Sequence, residues 1–220
     1  MTFSLAGRCP RTGMFGVVVT TSSIAIGSRC GFARAGVGAV LTQHRTDPRL
    51  GPIGIALLEA GKDAEATVRE LAAGTPDRDW RQLAAIDASG GTAFFHGAHI
   101  RSIHAGVNVK DCVAIGNILA DSGVPAAMAD AFARDPAAPL AERLVQGLEA
   151  GLNAGGERGP VRSASLLVVH EHSFPYIDLR VDEAASPIAA LRVLWKTYAG
   201  QADDYVSRAV DPASLGPTQT

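Results

Sequence analysis

The sequence predicts an α+β chain folded as a four-layer αββα sandwich, with two stacked, mainly antiparallel sheets and helix pairs outside. Two observations carry that expectation. The elements segregate into strands, two helices, strands, two helices, strands and one helix, which is not the strict alternation of a doubly wound parallel sheet. In addition, Val17-Val18-Val19 and Leu166-Leu167-Val168-Val169 are apolar on both faces, so both faces need cover. One sheet against another, each capped by helices, meets both conditions.

Each element has its own signal. TFSLAGR (2–8) and MFGVVVTT (14–21) read as a hairpin, with CPRTG supplying Pro and Gly for the turn. GVGAVLTQ (36–43) reads as a further strand. GPIGIALLEAG (51–61) places Pro52 at a helix N1 position and stops at Gly61. KDAEATVRELAAG (62–74) has Asp63 as N-cap, a Glu65–Arg69 pair and Gly74 at its stop. LAAID and TAFFHG form a second hairpin turning at Ser89-Gly90-Gly91, and AIGN (114–117) ends another strand. VPAAMADAFAR and PLAERLVQGLEAGL are helices, the second with Leu140, Leu144 and Leu148 on one face. SASLLVVHE and YIDLRVDE pair as strands. SPIAALRVLWKTYA is a capped helix with Ile188, Leu191, Trp195 and Tyr198 on one stripe. A single domain is expected over 1–205, followed by a flexible tail over 206–220 that has nothing to pack.

Composition narrows the function. A chain of 220 residues buries a core without metals or disulfides. Its 20 Lys+Arg against 22 Asp+Glu leave no basic stripe for nucleic acid and no polybasic membrane patch. Cys9, Cys30 and Cys112 lie far apart without CxxC spacing, which fits a reducing cytoplasm. No basic n-region with an apolar h-region opens the chain, and no apolar run approaches ~20 residues. The expected partner is a small-molecule substrate, not nucleic acid or membrane. The apolar outer helices point to a homo-oligomer, a dimer or larger.

Thr2 leads the chemical candidates. One reading makes it a strand-former. The other has Met1 removed, leaving a residue with both a hydroxyl and a free α-amine. That amine titrates near ~7.7–8.0, whereas a lysine near ~10.4 would need roughly 4 kcal/mol of perturbation to act as base at neutral pH. Gly36-Val37-Gly38 lacks the third glycine and the helix of a dinucleotide loop. Thr42, Gln43 and His44 end a strand, either projecting into a cleft, with Gln43 bonding a substrate amide, or satisfying their own loop. Gly116 lets backbone approach a ligand, and the Asn117 amide is an oxyanion donor or an ordinary turn residue. Arg158 and Arg162, in a glycine-rich loop, clamp a carboxylate or stand in solvent. His96, His99 and His104, with His170 and His172, lack metal-site spacing, and Cys30 has no sequence-adjacent histidine. No metal or cofactor is expected.

Several runs together resemble one bacterial and archaeal family, domain of unknown function 1028: TFSLAGRCPRTGMFGVVV, ARAGVGAVLTQ, TDPRLGPIGIALLEAG, WRQLAAIDASGGTAFFHG, GNILA, LAERLVQGLEAG, the glycine/arginine loop and YIDLRVDE before SPIAALRVLW. The resemblance covers 2 to about 198. It implies the fold of the N-terminal-nucleophile (Ntn) hydrolase superfamily, with Thr2 where the nucleophile would sit. The chain departs from the family pattern at Glu157, where Asp is usual, and at His44, Arg45 and His96. A proteasome-like relay is absent, since Ser22 stands where an aspartate would and the first lysine is Lys62. The resemblance therefore implies a hydrolase of a small linear or cyclic amide, with Thr2 as nucleophile, its α-amine as base and Asn117 assisting. Thr42, Gln43, His44, Gly116, Arg158 and Arg162 would bind the substrate. Two other readings stand beside it: a non-covalent cyclohydrolase on the same scaffold, and a non-catalytic ligand-binding or assembly module.

Overall fold

Backbone pairing begins at the first hairpin and runs through ten strands and six α-helices. The computed structural model describes residues 2–215. In chain order these are β1 (Thr2–Arg8), β2 (Phe15–Thr21), β3 (Gly31–Arg34), β4 (Gly38–His44), α1 (Leu50–Glu59), α2 (Ala64–Gly74), β5 (Arg81–Asp87), β6 (Thr92–His96), β7 (His104–Val109) and β8 (Cys112–Asn117). There follow α3 (Val124–Ala133), α4 (Leu140–Asn153), β9 (Ser163–Val169), β10 (Ile177–Val181), α5 (Pro187–Ala199) and α6 (Ala202–Val210). A six-stranded sheet has the order β10-β9-β2-β1-β8-β7, a four-stranded sheet the order β3-β4-β5-β6. Every pairing is antiparallel.

The two sheets stack as a sandwich through small and branched side chains. Ala6, Val17, Ala39, Leu41, Ala84, Ile86, Val113 and Ile115 form the layer between them. The opposite face of the larger sheet packs on α3, α4 and α5 through Phe3, Leu5, Met128, Leu144, Leu148, Leu191 and Trp195. The smaller sheet packs on α1 and α2 through Val40, Leu58, Val68, Leu71 and Leu83. The side-chain period of two therefore assigns faces: on β1, Phe3 and Leu5 point to the helices, while Ser4 and Ala6 point to the other sheet.

Most of the expected elements form, and the differences have physical causes. Asp63 caps α2, its carboxylate accepting the Ala66 N–H at 2.7 Å. Helix α1 starts at Leu50 rather than at Pro52. Ser186 precedes α5 without a side-chain capping bond. The tail expected from 206 is instead helical through Val210, because α6 brings Ala202 into a buried position and Tyr205 stacks on Tyr198 at 5.2 Å. The end of that expected tail, 216–220, lies outside the described residues. No described helix is long and apolar enough to cross a membrane.

Candidate active site

The polar end of the inter-sheet layer follows from register. Directly opposite residues of neighbouring strands share a face. Thr2 pairs with Asn117, and Asn117 in turn with His104. Thr21 lies on the other side of Thr2, their hydroxyl oxygens 3.2 Å apart. On the facing sheet Gln43 pairs with Gln82, and Gln82 with His96. Where the alanines and isoleucines of the layer end, two rows of polar side chains therefore meet.

Part of this band is a closed hydrogen-bond network. The Ser4 hydroxyl donates to Gln43 Oε1 at 2.7 Å, and Gln43 Nε2 donates to Gln82 Oε1 at 2.6 Å. Asn117 Nδ2 donates to the same Gln82 oxygen at 2.9 Å, and Gln82 Nε2 donates to the Gly116 carbonyl at 2.8 Å. All of these side chains are fully buried, and Asn117 Oδ1 has no hydrogen-bond partner. Beyond them, the His96 and His104 rings meet edge to face at 5.0 Å. Burial, reinforced by the charge on His104, pushes His96 down to about 4, so it is neutral at physiological pH.

The other part opens to solvent. A cleft of about 380 Å³ is walled by Thr2, Thr21, Ser23, His44 and Thr46, and by the arginines Arg29, Arg45 and Arg81. Thr2 is 4% exposed at its wall. His44 takes a left-handed backbone (φ 72°), uncommon for a residue with a side chain, and its Nδ1 lies 2.9 Å from the Trp80 carbonyl. Nδ1 must carry the proton to make that bond, which leaves Nε2 as the basic nitrogen. Burial holds His44 below the ordinary histidine value, with the Trp80 carbonyl opposing.

Among the described residues, no acidic side chain lines this cleft. Arg29 bonds the Ile24 and Ala25 carbonyls and the Ser23 hydroxyl. Arg45 lies over the Trp80 ring at 5.5 Å. Arg81 donates to the Arg45 carbonyl and stands 3.5 Å from Asp77 and 3.9 Å from Asp47. Its Nε is buried without a partner. Asp47 is already engaged by Arg49, whose hydrogen bonds hold its carboxyl below the usual range. The cleft is a positive pocket beside a threonine hydroxyl.

The expected site residues divide on this geometry. Thr2 and His44 reach the cleft, and Asn117 sits beside Thr2 one strand away. Gln43 does not reach it, since its amide is consumed between Ser4 and Gln82. Thr42 is fully buried and turns inward, donating to the Asp47 carbonyl at 3.3 Å. Packing alone requires glycine at 116, since a Cβ there would fall 2.7 Å from Leu119 Cδ2. Arg158 projects into solvent, and Arg162 turns outward to pair with Glu183. The arginines that do line the cleft come from three other segments. Lys62 precedes α2 and pairs with Glu70 at 2.7 Å, away from Thr2. Among the described residues no group of three or more His, Cys, Asp or Glu is arranged to hold a metal ion.

Residues 2–191 match a family model described as "Family of unknown function (DUF1028)". No curated protein matches the chain. Among solved structures, protein SPO2555 from Silicibacter pomeroyi, given with the same family, is 30% identical. That similarity covers 93% of this chain and 89% of the other, with a TM-score of 0.85. Anbu (ancestral beta-subunit) from Yersinia bercovieri is similar at 13% identity over 99% of both chains, with a TM-score of 0.39. The chain belongs to the DUF1028 family, a family of unknown function.

Proposed function

We propose that this chain is an amidohydrolase of the Ntn type, its sandwich the four-layer αββα scaffold of that superfamily, acting on a small amide that carries a negative charge. The observation that carries the reading is the placement of the Thr2 hydroxyl, at the head of β1, on a cleft whose charged walls are arginines. Once the residue ahead of Thr2 is removed, its α-amine and hydroxyl lie on one carbon framework, so part of the orientational cost of pairing base and nucleophile is met covalently.

In this reading Thr2 Oγ attacks the amide carbon while the α-amine takes the hydroxyl proton. The C–N bond breaks as the amine passes that proton to the leaving nitrogen. Water then gives a proton to the amine and adds to the ester, the Oγ–C bond breaks, and the proton returns to Oγ. Asn117 Nδ2 spends one hydrogen on Gln82 and offers the other to the developing oxyanion. Arg29 and Arg45, which have no carboxylate partner among the described residues, hold the substrate's negative group.

The test is a panel of amides with and without a carboxylate, assayed on protein whose intact mass shows Thr2 at the terminus. Turnover is expected for the carboxylated members and is lost in Thr2→Ala. A folded Thr2→Ala protein with full turnover overturns the reading. One observation favours a second: His44 presents a neutral Nε2 to the same cleft, placed to activate water for a non-covalent, cyclohydrolase-type attack. In that case His44→Ala abolishes turnover and Thr2→Ala leaves it largely intact.

A further inference from the structure

Glu157 is a buried carboxylate in search of a cation. It is 7% exposed. Among the described residues it is the one acid with both oxygens buried and neither in a hydrogen bond of ordinary length and angle. An unpaired charge in such a place is expensive, so it either takes up a proton or receives a positive partner.

Its position is fixed by three contacts. After α4 ends, Gly155 and Gly156 take positive φ (113° and 57°) and turn the chain back on itself. The Ala120 N–H donates to the Gly156 carbonyl at 3.0 Å and the Arg158 N–H to the Ile118 carbonyl at 3.2 Å, which sets Glu157 opposite Leu119. That segment is the direct continuation of β8 past Asn117, the partner of Thr2. On the other flank the Glu157 carboxylate is drawn toward the hydroxyl and backbone N–H of Ser22. Ser22 is the continuation of β2 past Thr21, which touches Thr2. Both neighbours of β1 thus run on beyond its first residue, and Glu157 lies between their extensions. From this register we infer that the backbone nitrogen of Thr2 is directed toward that space. A Cβ at Gly156 would sit 3.5 Å from the Phe3 ring, which places the loop against the same end of β1.

Among the described side chains packed around Glu157 none carries a charge. Ile118, Leu119 and Ala120 are neutral, as are Ser22, Phe3 and Asn153 at the end of α4. Arg158 is exposed and Arg162 is committed to Glu183. Burial raises the Glu157 carboxyl to about 7, opposed first by the positive charge of the chain's N-terminus and then by Ser22. A free α-amine titrates near ~7.7–8.0, so the two groups would compete for one proton.

We propose that Glu157 is the counter-ion and proton partner of the Thr2 α-amine. Carboxylate and ammonium pair across the end of β1; passage of one proton from nitrogen to a Glu157 oxygen leaves the amine neutral, and the proton's return restores the pair. The proposal rests on the reading that Thr2 becomes the terminal residue, but not on its hydroxyl being a nucleophile. Glu157 acts through the amine and is a positioning residue.

The experiment uses full-length protein released from a cleavable tag so that Thr2 is terminal by mass, labelled with ¹³C at Thr and Glu. A matched sample is acetylated on the Thr2 α-amine. NMR shifts are followed from about pH 5 to about pH 10, bracketing both groups. The expected result is a coupled titration seen at both Thr2 and Glu157. In Glu157→Gln the Thr2 midpoint falls by at least about one pH unit, the lower end of what a close opposite charge produces. In the acetylated protein, which needs no change at Glu157, the Glu157 midpoint rises for loss of its cation. Thr2→Ala keeps the amine and keeps the coupling even where turnover is lost, so failure of the nucleophile reading leaves this result standing. Equal Thr2 midpoints in wild type and Glu157→Gln overturn the proposal; should that variant not fold, equal Glu157 midpoints in the free-amine and acetylated proteins do so.

Discussion

Replacing Gln82 with methionine tests whether the inter-sheet polar network is structural, as its closure implies. Methionine keeps the length and approximate volume of the side chain and removes every polar atom that matters. Three buried groups then lose their partner: Gln43 Nε2, Asn117 Nδ2 and the Gly116 carbonyl. Each unsatisfied group costs about 1–3 kcal/mol. Because the three are neighbours and share one relaxation, the lower part of the summed range applies, about 3–5 kcal/mol. For a domain of this size each kcal/mol lowers Tm by roughly 2–4 °C, so the expected drop is about 6–20 °C. Urea unfolding followed by far-UV circular dichroism gives the free energy directly, with an unchanged slope expected because the exposed area does not change. Ser4→Ala, which orphans Gln43 Oε1 alone, should cost about 1–3 kcal/mol. A loss below about 1 kcal/mol for Gln82→Met, the size of an ordinary point substitution, would refute the assignment of Gln43 and Gln82 to structure and return Gln43 to the candidate substrate contacts.

The remaining predictions concern the cleft and its flank. Thr2→Ala is expected to lower turnover of an anionic amide by at least ~10³-fold, as loss of a covalent nucleophile does, while Thr2→Ser retains measurable activity; single-turnover assays compare them. Arg29→Met and Arg45→Met should each raise KM for carboxylated substrates by about tenfold or more, the scale of a charge-assisted bond, and leave uncharged amides unaffected. His96 is held neutral in the fold, so the unfolded chain binds its proton first as pH falls. Stability from His96 is therefore fully present above pH ~6.5 and declines toward about 4. His96→Phe, which keeps the stacking on Phe94, should flatten that acid-side decline when unfolding is compared at neutral and mildly acidic pH. An equal decline in both proteins would place the sensitivity elsewhere.

The fold was legible where periodicity and punctuation were strong. The 2–8/14–21 hairpin, the Leu140–Leu144–Leu148 stripe and the Asp63 cap each rest on local chemistry, and each forms. Elements whose stability is supplied from outside were not legible. β3 is four residues long and is held by pairing to β4. β7 begins at a histidine and carries Gly106, which lies flat against the Phe94 ring. α6 is polar over most of its surface and reads as tail, because its ordering contacts, Tyr176 to Asp203 at 2.8 Å and Tyr198 on Tyr205, join residues of separate elements.

The site shows the same division more sharply. Thr2 was visible because its chemistry is local: a hydroxyl and an amine on one residue need no partner to be recognised. Asn117 was visible as a polar residue at a strand end, and the register supplies what the sequence lacks, the fact that its strand is the neighbour of β1. The arginines were misassigned for a reason of geometry. Arg158 and Arg162 flank glycines in one loop and look like a clamp, yet in the loop between α4 and β9 Arg158 is exposed and Arg162 is drawn outward by Glu183. Arg29, Arg45 and Arg81 are scattered over 52 positions of sequence and converge only because the end of β4, the start of β5 and the turn after β2 meet at one rim. Gln43 is the converse case. Its strand-end position resembles that of a substrate contact, but the alternation that turns Leu41 and Ala39 toward the other sheet also turns Gln43 there. With its amide spent on Ser4 and Gln82 inside that layer, Gln43 does not reach the cleft. Thr2 shares the same layer but stands at its end, on the cleft wall, so position along the strand and hydrogen bonds already spent separate the groups that can meet a substrate from those that hold the sheets in place for it.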